Sequence, residues 1–156
     1  MNPYQVKHIF FTFSVLILLS FDAKAETFRV DDSATIATQP QIKMKWRNTA
    51  LNNQSSMILD GSTFVTIRLN TANWLNKKGQ IYMVLPYQPI GTVAVDWTTQ
   101  GRLLPGNLVS GNRTLVYAGI IQSPVIEDTI KINLQSDGSR LTLLHRLEFY
   151  FEIDVD

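Results

Sequence analysis

The stretch from Leu141 to Asp156 constrains the fold more than any other part of the chain. Its odd positions are Leu141, Leu143, His145, Leu147, Phe149, Phe151, Ile153 and Val155. From Arg146 its even positions are Arg146, Glu148, Tyr150, Glu152, Asp154 and Asp156. A β-strand sends alternate side chains to opposite faces, so this period of two predicts one long strand with an apolar face and an acidic face. A helix needs apolar residues three and four apart and would scatter this set. The strand is expected to be the last of the fold, and its apolar edge is an aggregation hazard. Something has to cover it and pair with it.

The other end of the chain reads as a targeting segment. Lys7 supplies a positive flank, Ile9 to Phe21 is an apolar run of 13 residues, and Ala23-Lys24-Ala25 fits a small-x-small cleavage signal. A bilayer span takes roughly 20 apolar residues, so cleavage is expected rather than anchoring. The chain then divides into a signal peptide at 1–25, an N-terminal extension at 26–39 and a body at 40–156. Removing Lys7, Lys24 and Asp22 from totals of 14 basic and 13 acidic residues leaves 12 of each. A nearly neutral chain lacks the basic excess of a nucleic-acid binder. With no cysteine in the sequence, thiol chemistry and disulfides are excluded, and stability must come from packing and strand pairing.

Alternation recurs along the mature chain. Even positions carry it at the start, in Phe28, Val30, Ala34 and Ile36, with Asp32 interrupting. After Pro40, which marks a break between extended segments, the same parity continues in Ile42, Met44 and Trp46, with Lys43, Lys45 and Arg47 opposite. Asp60-Gly61 reads as a turn, and Val65, Ile67 and Leu69 form one face of the next strand. Further strands carry Ile81, Met83 and Leu85, then Val93, Val95 and Trp97, then the apolar run 113–121, then Ile130, Ile132 and Leu134. Asp137-Gly138 is a hairpin signal before the terminal strand. Seven or so short strands without a helical stretch predict an all-β fold, an antiparallel sandwich of immunoglobulin type; a closed barrel is the alternative.

No catalytic or metal constellation emerges. The one histidine of the mature chain, His145, falls on the apolar parity of the last strand, and a set of His145, Asp137 and Ser139 would lie across a single turn with nothing to form an oxyanion hole. Glu148, Glu152, Asp154 and Asp156 read as a solvated face, without the glycine turn of a calcium loop. No cofactor is expected, and the protein is read as a non-enzyme. Trp97 is in phase with Val93 and Val95 and reads as core. Trp74 and Tyr87 fall in connections and, with the cationic row of Lys43 and Lys45, are candidate contacts for a glycan or protein receptor.

The segment Thr35-Ile36-Ala37-Thr38-Gln39-Pro40-Gln41-Ile42-Lys43-Met44-Lys45-Trp46, together with the terminal strand and the cleavable leader, resembles a fimbrial subunit of the chaperone–usher class, in its cysteine-free branches. The resemblance implies an incomplete sandwich lacking its final strand, completed by β-strand addition. It further implies a periplasmic chaperone that lends a strand first, an outer-membrane usher, and neighbouring subunits whose N-terminal segments fill the groove in the finished fimbria on the cell surface. Phe28, Val30, Ala34 and Ile36 would then be donor residues, and Leu147, Phe149, Phe151, Ile153 and Val155 would line the acceptor groove. The other reading is a secreted or periplasmic binding domain, complete as a monomer, whose N-terminal segment pairs within its own chain.

Overall fold

Each of the longer apolar alternations forms a strand, and the strands sort into two antiparallel sheets. The computed structural model of the chain describes residues 25–39, 42–47, 58–87, 93–137 and 148–155. In chain order the strands are β1 (Glu26–Val30), β2 (Ile36–Ala37), β3 (Lys45–Trp46), β4 (Ile58–Asn70), β5 (Lys78–Val84), β6 (Val93–Thr99), β7 (Gly106–Val109), β8 (Arg113–Ile120), β9 (Val125–Asp137) and β10 (Tyr150–Val155). One short 3-10 helix, Ala72–Trp74, links β4 to β5. The first sheet has the order β1-β10-β5-β8, and the second runs β2-β4-β9-β6-β7 with β3 also paired to β4. The chain is an all-β antiparallel sandwich.

The inner faces follow the parity of the sequence. Val65, Ile67 and Leu69 of β4 and Ile130, Ile132 and Leu134 of β9 are buried together with Ile81 and Met83 of β5 and Phe151, Ile153 and Val155 of β10. Each such side chain contributes about 1.5–3 kcal/mol through the apolar surface it removes from water. Trp97 is in this core, as its phase with Val95 predicts; its indole N–H donates to the Leu104 carbonyl at 2.9 Å. Gly106 pairs with Trp97, and a Cβ there would lie 2.8 Å from the indole ring.

Three expectations are corrected. Asp60-Gly61 is not a turn: both residues lie inside the 13-residue strand β4. The glycine serves close approach instead, since a Cβ at position 61 would stand 2.5 Å from both the Ile42 Cγ2 and the Met44 Sδ. Asp137 does not open a hairpin between β9 and the terminal strand, because those two strands belong to different sheets. Among the described residues the strands number ten rather than about seven, since the N-terminal part breaks into three short pieces and Gly106–Val109, in a stretch rich in turn residues, adds the edge strand β7. The run 113–121 is buried only in part. Val116, displaced at the register shift opposite Ile81 and Tyr82, is fully covered together with Ile121, while Ile120 faces solvent. The expected leader, and Leu141 to Leu147 of the expected terminal strand, His145 among them, lie outside the described residues; of the rest, Tyr150–Val155 forms the strand and Glu148 and Phe149 precede it.

Candidate functional site

The two ends of the described chain meet in one seam. β1 pairs antiparallel with β10, with Glu26 opposite Val155, Phe28 opposite Ile153 and Val30 opposite Phe151. β1 is an edge strand, and it joins the sandwich through its C-terminal side, by residues 31–35. Val30 is fully buried. Phe28 remains 39% exposed, with its ring tilted at 44° against Trp74 at a centroid distance of 6.1 Å. The acceptor face is supplied by Phe151, Ile153 and Val155, all buried, and Phe149 packs partly buried against the same core. Leu147 lies outside the described residues.

The occupant of this slot is the chain's own β1. The fimbrial resemblance assigns the slot to a neighbouring molecule's strand, and in this structure the pairing is intramolecular. A strand held by a five-residue crossover has a high effective concentration at its own slot, which favours this closure in a single molecule.

The expected donor face also divides. Asp31 forms a bridge to Asn70 of β4, and the Thr35 N–H donates to the Asp32 carbonyl at 2.9 Å, closing a turn between β1 and β2. Beyond that turn the chain is in the other sheet, where Ile36 sits opposite Thr66. A turn resets strand alternation, so Ala34 is exposed and Ile36 is 64% exposed, off the face that carries Phe28 and Val30. Asp32, the interruption in the apolar parity, was the visible mark of this turn. The Asp31 carboxyl is held below the usual carboxylate range by hydrogen bonds from Ser33, side chain first and backbone second; the Ser33 N–H lies 3.1 Å from Oδ1.

The outer face of the seam is polar and closely connected. The Thr27 hydroxyl donates to Asp154 Oδ1 at 2.6 Å, and the Arg29 guanidinium lies 4.2 Å above the centre of the Tyr150 ring. From the far side, Arg113 of β8 crosses the ring of Tyr82 at 4.2 Å and reaches Asp154 at 3.1 Å and Glu152 at 3.5 Å. Burial works against the charged guanidinium, but the hydrogen bond and charge of Asp154, with Tyr82 and Glu152 adding, raise Arg113 above its ordinary value. The acidic row read as a solvated face is therefore engaged at Glu152 and Asp154 by a cation from two strands away. Thr27, Arg29, Tyr150 and Arg113 were not singled out from the sequence, although Arg29 and Tyr150 stand on the polar parity of their strands.

The candidate receptor contacts do not converge. Trp74 is corrected outright: it is 9% exposed, packs under Phe28 and belongs to the core. Tyr87 is 76% exposed beside the turn at Gly111. Lys43 and Lys45 are exposed near β3, where Lys45 stands opposite Asp60. Arg47, of the same row, is held by Asp60 through two hydrogen bonds of 2.8 and 2.9 Å. Trp46, expected on the inner parity, is 57% exposed. A shallow depression of about 350 Å³ at the crossover is bordered by Asp31, Ser33, Arg68, Asn70 and Val125. Its polar groups already have partners, Arg68 in Glu127 at 2.7 Å and Asn70 in the Ala72 N–H at 3.2 Å. Among the described residues, no three His, Asp or Glu side chains are grouped to hold a metal ion. No family model, curated protein or solved structure matches the chain.

Proposed function

We propose that the protein is a non-catalytic structural or adhesive subunit of a bacterial surface fimbria, exported through the periplasm and assembled by strand exchange of the chaperone–usher kind. One observation carries the reading: β1, the first strand of the expected mature chain, pairs antiparallel with β10 at a sheet edge and is tied to the body on one side only. The same contacts between copies, with β1 of one subunit in the slot of the next, form a head-to-tail interface that does not close on itself. Such an interface builds a filament. A periplasmic chaperone would hold the slot open until exchange, an outer-membrane usher would order it, and Phe28 and Val30 would be the donated apolar residues.

The test uses the mature chain in two differently tagged batches, mixed under mildly denaturing conditions and returned to buffer. Exchange predicts mixed-tag oligomers in a stepwise ladder on size exclusion, and Val30→Asp abolishes the ladder. A chain that stays monomeric throughout, with residues 26–38 resistant to protease, overturns the reading. That outcome would favour the second one, a binding domain complete as a monomer, for which β1 in its own slot is the supporting observation. Its ligand, a glycan or a protein, would then be sought around the exposed Tyr87 and the Lys43–Lys45 row.

A further inference from the structure

We propose that the outward-facing residues Thr27 and Arg29 set the register in which β1 seats on β10, with Asp154 and Tyr150 as the residues that read it. The biological sense of this register rests on the strand-exchange reading above, since a donated strand must stop at one position in every copy. The inner face alone does not supply that stop. β10 offers three apolar steps in succession, Phe151, Ile153 and Val155, whereas β1 brings only Phe28 and Val30. A slip of two residues keeps every side chain on its own face. Shifted toward Val155, Val30 would meet Ile153 and Phe28 would meet Val155, apolar on apolar, with the Glu26 and Thr27 pairs lost at the free end. The opposite slip would press Glu26 onto Ile153 and is disfavoured by desolvation of its carboxylate. Two registers therefore compete. The Phe28–Trp74 contact favours the observed one only loosely, because the Phe28 ring remains partly in solvent, and the bridge from Asp31 to Asn70 of β4 adds one backbone hydrogen bond of 2.9 Å on the same side.

The outer face separates them. In the observed register Thr27 stands directly opposite Asp154 and donates a 2.6 Å hydrogen bond to its carboxylate. A hydrogen bond to an ionised group is among the stronger kinds. Asp154 is itself held in place by Arg113 at 3.1 Å. A two-residue slip displaces Thr27 by about 7 Å along the strand, removes Arg29 from Tyr150, and brings Arg29 opposite a carboxylate that Arg113 already occupies. Such a slip would draw its length from the five residues 31–35, opening the turn closed by Asp32 and Thr35 and the bridge from Asp31 to Asn70.

NMR of the full mature chain tests this through cross-strand contacts. The wild type should show one set, with Arg29 beside Glu152. In Tyr150→Leu/Asp154→Ala a second set should appear, with Arg29 beside position 154, as the register ratio falls about fivefold to thirtyfold for the one or two kcal/mol removed. Asp154→Asn keeps an acceptor for Thr27 and should remain in one register. Thr27→Val/Arg29→Leu probes the same contacts from exposed positions that leave the core intact, and should also release the second set. A single native register in both double variants overturns the proposal and assigns the stop to the inner face or to the Asp31–Asn70 bridge. Differently labelled copies, mixed, show separately whether the seam forms within or between chains. A seam found only within chains counts against strand exchange and leaves the register result standing.

Discussion

The guanidinium of Arg113 lies 3.1 Å from the carboxylate of Asp154, although a whole strand, β5, separates the two. It spans that strand by resting on the ring of Tyr82, whose face attracts the cation. Three strands of the first sheet are thereby tied on their outer surface, and Asp154 is presented to Thr27 of the fourth. A polar surface row thus helps to hold the chain ends together.

Arg113→Ala should lower unfolding free energy by about 1 kcal/mol, a value kept small because Arg113 is 43% exposed and surface ion pairs are weak. Arg113→Lys should recover less than half of the loss, since an ammonium cannot lie flat on Tyr82 and reach two carboxylates together. Urea unfolding of the mature chain checks both values. Equal stability of Arg113→Lys and wild type would reduce the contact to simple charge.

Val30 and Ile36 lie six positions apart on the same sequence parity but behave oppositely in the fold. Val30→Ala should cost about 2 kcal/mol by opening a cavity beside Phe151. Ile36→Asp, at a position 64% exposed, should stay within about 0.5 kcal/mol of wild type. Were the two changes equally damaging, β1 and β2 would form one continuous strand, contrary to the turn at Asp32.

Gly61 admits Ile42 and Met44 across β4, and a methyl group there meets both. Gly61→Ala should cost about 1–3 kcal/mol through overpacking. The cost should shrink when Met44 is also shortened to alanine, and a double-mutant cycle measures this coupling. Purely additive changes would mean that the two residues do not share that space.

Much of the sandwich was legible in the sequence because burial on one face imposes a period of two. Val65, Ile67 and Leu69, Ile130 to Leu134, and Phe151 to Val155 all fall where their parity places them. Parity carries no information about which strand lies alongside which, so the separation of β9 and β10 into different sheets could not be read from Asp137-Gly138. Parity also loses its meaning across a turn: Asp32 marks the break, yet Ala34 and Ile36 beyond it share the parity of Phe28 and Val30 without sharing their face. Gly61 misled because a glycine that permits a turn looks the same as one that makes room for a neighbour. Trp74 misled because a residue in a connection can still be covered from another part of the chain.

The Asp31 carboxyl titrates below the usual aspartate range because Ser33 hydrogen-bonds its charged form. A folded value below the unfolded one means that its contribution is fully present above the unfolded value and is lost as pH falls through the folded one. An NMR titration should therefore place the Asp31 midpoint below that of an unstructured aspartate, and Ser33→Ala should move it upward. An unmoved midpoint in Ser33→Ala would assign the effect to the Ser33 backbone N–H, which that change keeps, or to Asn70.

Thr27 and Asp154, joined by a single hydrogen bond, are 127 positions apart in the chain. At about 5–20 residues per second of synthesis, β1 exists for roughly 6–25 s before the strand it pairs with has been made. The seam is therefore the most non-local pairing among the described strands, and contacts of that span are slow to form. For that interval β1 has no partner at this sheet edge, and the seam can close only after β10 has been made.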